Sequence, residues 1–275
     1  MVDLLVEKII DKKELRGVSE EFAKKEVIAW LEKHPQVKQE YEQDPERFFK
    51  KKNFQQLRSD VREHLRRVYG VFFTNKYPAK REGYLAALID EPSKENALEL
   101  MSIHRSTHER LEHYPSLYEQ LFAITGTPTS ILDIGCGYNP FSYPFLGCTP
   151  AYHSADIACE DLKLIGEFHD SLKIENSQHC VDLTTPEIMK SLPETDVVFA
   201  FKVFDSLEEK EWGRVKALLT DMKAKWLVAS FPTLSIGQKK TISPREWFER
   251  LVTDKVVGRV TLANEQFIII TLKQK

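Results

Sequence analysis

The stretch Ser130-Ile-Leu-Asp-Ile-Gly-Cys-Gly-Tyr-Asn-Pro140 decides the fold. Ile131 to Ile134 is an apolar run of strand length, and it ends in Asp133-Ile-Gly135-Cys-Gly137. Two glycines allow a tight backbone turn and let a ligand lie against the main chain with no Cβ in the way. Pro140 suits the first turn of a helix, where the N–H it lacks has no intrahelical partner. A strand, a glycine turn and a helix start make the nucleotide end of a doubly wound sheet.

The ligand follows from what this loop has and lacks. A dinucleotide loop carries a third glycine where this chain has Pro140, and no Gly-Lys-Ser/Thr is present to hold a triphosphate. Asp133 inside the loop would repel a pyrophosphate and suits a ligand that carries an ammonium group. Asp156 ends the next strand-like run, Ala151 to Ala155, where an acidic side chain can take two ribose hydroxyls. The combination points to S-adenosylmethionine, with Asp133, Gly135, Gly137, Asn139 and Asp156 as candidate contacts.

Working outward, the segments after the loop alternate. Strand-like runs at 151–156, 178–182, 196–201 and 225–230 are separated by helical segments such as 208–220. This is the pattern of a mostly parallel sheet with helices on both faces. Val256 to Thr261 and Gln266 to Thr271 form two β-rich runs four residues apart, which predicts a closing hairpin. The expected fold is α/β, a Rossmann-like seven-stranded methyltransferase domain over residues 113–275. An all-helical domain is expected over 1–112.

In that first region Ser19 is placed to cap a helix carrying Phe22, Val27, Ile28 and Leu31, and the polar stretch from His34 to Asp44 reads as a connection. Phe54, Leu57, Val61, Leu65 and Val68 recur at three- and four-residue steps, one helical face. Arg58, Arg62 and Arg66 repeat every four residues and share another face, with Arg67 beside them. Gly70 and Pro78 punctuate the next stretch, and Ser93 is placed to cap a helix through Met101. The formal net charge is −3, yet Arg47 to Arg81 holds eleven Lys/Arg against Asp60 and Glu63, a local +9. Such asymmetry predicts a nucleic-acid footprint beside an acidic catalytic domain. A solvated helical face is the bland alternative.

The four cysteines show no C-x-x-C pairing and read as reduced thiols rather than a disulfide frame or a zinc site. No metal site is expected. No leader-like segment or membrane-length apolar run is present, so a cytoplasmic protein is expected.

The acceptor is narrowed by absences. Exocyclic amine methylation commonly uses an Asn/Asp-Pro-Pro-aromatic turn after the fourth strand, where this chain has Phe201-Lys202-Val203-Phe204. Pyrimidine C5 methylation needs a cysteine nucleophile in a Pro-Cys pair, and none exists. Guanine N7 presents a lone pair and needs no base. A ribose hydroxyl remains open with Lys202 as a candidate base.

Four blocks together resemble the aminoglycoside-resistance 16S rRNA guanine-N7 methyltransferases of the Arm, Rmt, Kgm and FmrO types. They are His104-Arg-Ser-Thr-His-Glu-Arg110-Leu, Leu132-Asp-Ile-Gly-Cys-Gly-Tyr-Asn-Pro140, Phe201-Lys202 with Leu207-Glu208, and Ser230-Phe-Pro-Thr233 with Ser235. The resemblance covers nearly the whole chain. It implies a helical domain that docks on the small ribosomal subunit and a guanine N7 of the decoding region as target; apart from the resemblance, a monomer is expected. It further implies that Arg110 holds the cofactor carboxylate, that Gly135 lines its methionine end, that Asp156 takes the ribose, and that Asp182 sits by the adenine or the incoming base. Local alternatives stand beside these roles: Ser106 and Glu109 also spell a capping box, Asp182 could cap a helix near Pro186, and Arg110 could be a surface ion-pair partner.

The chain departs from the family after Ser230-Phe-Pro-Thr233. Lys239 and Lys240 stand where the family has an arginine-rich loop, offering point charges to RNA without the bidentate fork. Val181 replaces a frequent glutamine beside the adenine. Two readings compete with the leading one: methylation of another RNA position, and a ribosome-binding factor on a degraded cofactor fold.

Overall fold

The computed structural model describes residues 2–12, 15, 18–68, 80–234, 241–243 and 245–272. Gly70, Pro78, Ser235, Lys239 and Lys240, singled out above, lie outside them. Among the described residues five helices come first: α1 (Asp3–Ile10), α2 (Glu20–Lys33), α3 (Pro35–Gln43), α4 (Pro45–Phe48) and α5 (Lys52–Val68). Ser19 Oγ accepts from Phe22 N at 3.3 Å and starts α2 as expected. The stretch expected to be a polar connection is instead α3: Pro35 stands in its first turn with φ already preset, and Tyr41 is buried. On α5, Phe54, Leu57, Val61 and Leu65 are buried. They pack with Leu5, Ile9, Phe22, Val27 and Leu31 into one apolar cluster.

Three helices follow, α6 (Arg81–Asp90), α7 (Lys94–Met101) and the short α8 (Arg105–His108), and then α9 (Tyr114–Thr125) leads into β1 (Ser130–Ile134). The rest of the α/β layer is β2 (Ala151–Asp156), α10 (Cys159–Ser171), β3 (Asn176–Cys180), β4 (Thr195–Phe201), α11 (Phe204–Lys210), α12 (Arg214–Asp221), β5 (Ala224–Pro232), α13 (Glu246–Val252), β6 (Val256–Thr261) and β7 (Glu265–Thr271). The helical run expected at 208–220 is thus two helices, because Gly213 takes φ +83° between them. Pro140 starts a 3-10 helix, Asn139–Phe145, rather than an α-helix.

Among the described residues the sheet has seven strands in the order β3-β2-β1-β4-β5-β7-β6. β1 pairs in parallel with both β2 and β4, and the strand order reverses at that point. β7 runs antiparallel between β5 and β6, which is the expected hairpin. Because the sheet is covered on both faces, adjacent strand residues belong to opposite cores. Ile131, Val197, Phe199, Phe267 and Ile269 pack toward the side of α6, α7 and α9. Leu132, Val198, Leu227, Ile268 and Ile270 pack toward α11, α12 and α13.

Packing divides the chain at a different place from the expected 112/113 boundary. Leu85, Leu88, Ala97, Leu100 and Met101, on α6 and α7, share the core of the sheet. Helices α1–α5 build a separate cluster, and Ala158 from the sheet layer joins it.

The cysteine expectation is also corrected. Cys159 opens α10, Cys180 ends the neighbouring β3, and their sulfurs form a disulfide with Cα atoms 5.1 Å apart. A spacing of 21 residues carries no pairing signal; only the parallel β2–β3 register brings the two ends together. Cys136 and Cys148 are free thiols. No described helix is long and apolar enough to cross a membrane.

Candidate active site

The parallel strands end at one edge, and the loops after β1, β2, β3 and β4 enclose a cavity there. This is where an open α/β sheet binds ligands, at the switch in strand order. Gly135 and Gly137 form its floor with φ of +60° and +49°. The loop is clamped to β2, since Gly135 N and Cys136 N both donate to Ala155 O, at 2.7 and 3.3 Å. Both glycines are also closely covered. A Cβ on Gly135 would lie 2.5 Å from Val203 Cγ2, and one on Gly137 would lie 2.9 Å from His104 Cε1.

Asp156 lines the cavity, and its carboxylate completes the loop: Gly137 N donates to Oδ2 at 2.9 Å and Ala158 N to Oδ1 at 3.0 Å. Val181 and Asp182 line the next part of the wall. They fall just beyond β3, which begins and ends two residues earlier than the sequence pattern implied. Asp182 does not cap a helix. Its Oδ1 accepts from Thr184 N and Oγ1 at 2.8 and 2.7 Å, and its Oδ2 accepts from Lys25 Nζ at 2.5 Å. Burial alone would raise its pKa, but the Lys25 and Thr184 hydrogen bonds outweigh it and hold the carboxyl below the usual range.

Lys25 belongs to α2, so the helical layer braces this wall through Asp182. Phe22 on the same helix lines the cavity, with Lys210 Nζ 5.0 Å from its ring centroid. Lys210 in turn pairs with Glu26 at 2.7 Å, and Ser19 N donates to Ile157 O at 3.0 Å. Sequence reading placed Phe22 only as an apolar helix position and missed Lys25. Neither carries a local signal, because what they meet lies more than 100 residues away in the chain.

Arg110 is the chemical centre of the opposite wall. It is 1% exposed, and the Ser106–Glu109 sequence is no capping box, since His104 stands at the N-cap of α8 and Ser106 Oγ bonds His104 Nδ1 at 3.0 Å. Arg110 Nε donates to Glu265 Oε2 at 2.7 Å, and Nη1 donates to Tyr114 Oη at 3.4 Å. The guanidinium lies 5.0 Å from the Phe201 ring centroid. Its Nη2 has no hydrogen-bond partner among the described residues, although the group is buried and lines the cavity. A buried donor left open beside a cavity is what a ligand carboxylate would satisfy. His104 also borders the cavity; burial drives its pKa down to about 3, reinforced by Arg110 and Lys202, so its ring is neutral.

Lys202 follows β4 directly with φ +58°, and its N donates to Ser230 O and Oγ, both at 3.1 Å. Its Nζ donates to Glu109 Oε2 at 2.6 Å and lies 3.2 Å from Glu265 Oε2. The residue expected as a base is therefore a member of a chain of ion pairs. Glu265 and Glu109 were missed as site residues. Glu265 stands where the alternation of β7 begins, in sequence indistinguishable from a polar hairpin residue, yet it is fully buried.

Two expected cofactor contacts are displaced one layer inward. Asp133 and Asn139 are buried under the loop and do not line the cavity. Asn139 Nδ2 and Tyr152 Oη donate to Asp133 Oδ2, each at 2.8 Å, while Tyr114 Oη donates to Asn139 Oδ1 at 2.9 Å. They brace the loop from below. Burial pushes Asp133 up to about 7, against the lowering by those hydrogen bonds. The folded protein then holds a proton that the unfolded chain, with a carboxyl near 3.8, releases. The stability it contributes is complete below pH ~4 and is lost as pH rises to ~7. Asp133→Asn should therefore gain stability relative to the parent between pH 5 and pH 8, by up to a few kcal/mol. Urea unfolding at both pH values checks this, and a pH-independent difference would rule Asp133 out as the titrating group.

On α5 the four arginines part company. Arg66 and Arg67 are exposed, and Arg58 is half-buried with its guanidinium 5.5 Å from the Phe54 ring centroid. Arg62 donates through Nε to Ile9 O at 2.7 Å and through Nη2 to Lys8 O at 2.9 Å. It satisfies carbonyls at the end of α1, so it serves the fold rather than a basic ridge.

A 16S rRNA (guanine(1405)-N(7))-methyltransferase of Proteus mirabilis is 28% identical over 249 residues, 82% of this chain and 88% of that protein. Among solved structures, the 16S rRNA methyltransferase RmtF in complex with S-adenosyl-L-homocysteine superposes with a TM-score of 0.76 at 22% identity, covering 98% of this chain and 97% of the other. The 16S rRNA methylase RmtB gives 0.75 at 22% identity, with 98% of each chain covered. These superpositions establish a shared fold across the helical and α/β layers alike. The family model for ribosomal RNA methyltransferase (FmrO) matches residues 53–270, the greater part of the sequence, and the chain belongs to that family.

Proposed function

We propose that the protein transfers a methyl group from S-adenosylmethionine to N7 of a guanine in the 16S rRNA of the small ribosomal subunit. The observation that carries this reading is the buried Arg110, braced on Glu265 and Tyr114 with one guanidinium nitrogen left open at the cavity. It fits the carboxylate of the methyl donor. Asp156 fits the ribose hydroxyls, the backbone of Gly135–Gly137 the methionine end, and the wall of Val181 and Asp182 the adenine. When bound, this cofactor supplies a methyl on a sulfonium, open to in-line displacement.

What remains for the chain is to hold acceptor and methyl in line. Guanine N7 brings its own lone pair, which agrees with a site whose lysine is committed to Glu109 and Glu265. That commitment removes the main support for a ribose acceptor with Lys202 as base. The P. mirabilis relative is named for the guanine N7 reaction, which supports the same acceptor here. Arg58, Arg66 and Arg67 on α5, together with Lys239 and Lys240, are proposed to meet RNA phosphates, and Asp182 to act at the site through its wall position rather than by proton transfer. The protein is proposed to act as a cytoplasmic monomer.

The test is transfer of labelled methyl to purified small subunits that lack the modification, with mass spectrometry to locate it. Label is expected at a guanine N7, and Asp156→Ala is expected to cut cofactor affinity ~10–100-fold through lost charge-assisted hydrogen bonds. Label elsewhere in the RNA would move the target. Normal cofactor binding with no label on any subunit preparation would favour a ribosome-binding factor instead.

A further inference from the structure

We propose that Glu265 is a positioning residue of the cofactor site, fixing the orientation in which Arg110 presents its open N–H group to the carboxylate of the methyl donor. The inference rests on the cofactor reading above. Glu265 is the first residue of β7, opposite Pro232 of β5, and is wholly buried. A carboxylate in that setting persists only when its oxygens are paired. Oε2 takes Arg110 Nε at 2.7 Å and Lys202 Nζ at 3.2 Å, and Oε1 takes the hydroxyl of Ser230.

One carboxylate therefore organises two cations from distant segments. Lys202 reaches it from a left-handed backbone conformation, φ +58°, that a non-glycine residue keeps only where its surroundings over-determine it. Here Ser230 does so, with O and Oγ accepting from Lys202 N while its hydroxyl also bonds Glu265. The Arg110 guanidinium is held through Nε by Glu265, through Nη1 by Tyr114, and lies near the Phe201 ring. Nη2 alone is left without a partner among the described residues. Of the groups that hold it, Glu265 is the charged one. Without that charge Arg110 and Lys202 repel across the gap it fills, and the guanidinium turns from its presenting orientation.

The test compares two ligands by calorimetry on the full chain. S-adenosylhomocysteine carries the amino-acid carboxylate, and 5′-methylthioadenosine lacks it. Glu265→Gln, which keeps the shape and removes the charge, is expected to weaken S-adenosylhomocysteine ~10-fold or more, while 5′-methylthioadenosine stays within ~2-fold of the parent. In an Arg110→Met background the same substitution should change S-adenosylhomocysteine affinity little further. Parallel weakening of both ligands would mark Glu265 as merely structural, and unchanged S-adenosylhomocysteine affinity would equally overturn the proposal. Should Glu265→Gln fail to fold, Glu265→Asp retains the charge at shorter reach and is expected to show a smaller loss with the same ligand selectivity. A parent protein that binds neither ligand would sink the cofactor reading, and this inference with it.

Discussion

Arg110→Met is expected to abolish methyl transfer and to weaken S-adenosylhomocysteine by ~100-fold or more. A charge-assisted hydrogen bond contributes about 1.5–3 kcal/mol, and Arg110 Nη2 is the nitrogen left to make one with the ligand carboxylate. Its removal also leaves Glu265 buried with Lys202, at 3.2 Å, as its one remaining cation among the described residues. Breaking a buried ion pair from one side typically costs about 3–5 kcal/mol, so the variant should melt earlier as well. Arg110→Lys separates the two effects. A lysine can keep a charge near Glu265 but cannot fork between Glu265, Tyr114 and a ligand, so stability should largely return while affinity does not. Calorimetry and urea unfolding on both variants check this. If Arg110→Met bound S-adenosylhomocysteine like the parent, the carboxylate assignment would be wrong.

Gly135→Ala is expected to destabilise the protein by about 2–4 kcal/mol and to remove most cofactor affinity. Two costs add. At φ +60° an L side chain costs about 1–2 kcal/mol. The new methyl would also stand 2.5 Å from Val203 Cγ2 and 3.0 Å from Val203 Cβ. Val203 follows Lys202 and precedes α11, so relief by moving it disturbs the ion-pair chain and the cavity wall together. Gly213→Ala is the matched control. Gly213 has φ +83°, but a Cβ there meets nothing within 4 Å, so only the backbone cost of about 1–2 kcal/mol should appear. Thermal melts of the two variants decide the point, and equal losses would remove the contact with Val203 from the explanation.

Much of the site was legible because its pieces are local in sequence. The glycine turn after Ile131–Ile134 requires its residue types wherever it occurs, and Asp156 at the end of the next strand belongs to the same βαβ pattern. Reading failed where a residue's partner lies elsewhere in the chain. Arg62 looked like the centre of a basic ridge by its period, but Ile9 and Lys8 present their carbonyls to it and the arginine closes α1. Asn139 and Asp133 looked like ligand contacts by proximity to the glycines. Asp133 on β1 and Asn139 at the start of the 3-10 helix instead meet beneath the loop, against Tyr152 and Tyr114.

By itself the sequence determined the α/β alternation, the closing hairpin, the cavity end of the sheet and the helical character of the first region. Periodicity, turn residues and apolar runs are properties of neighbours in the chain, and backbone geometry converts them directly into elements. Tertiary structure alone decided that α2 walls the cavity through Phe22 and braces Asp182 through Lys25, that Cys159 meets Cys180, and that α6 and α7 share the core of the sheet. It alone decided that Glu265 serves both Arg110 and Lys202. The reason is electrostatic as much as geometric. A buried carboxylate looks like any surface glutamate until packing removes its water, and only then do its partners become obligatory.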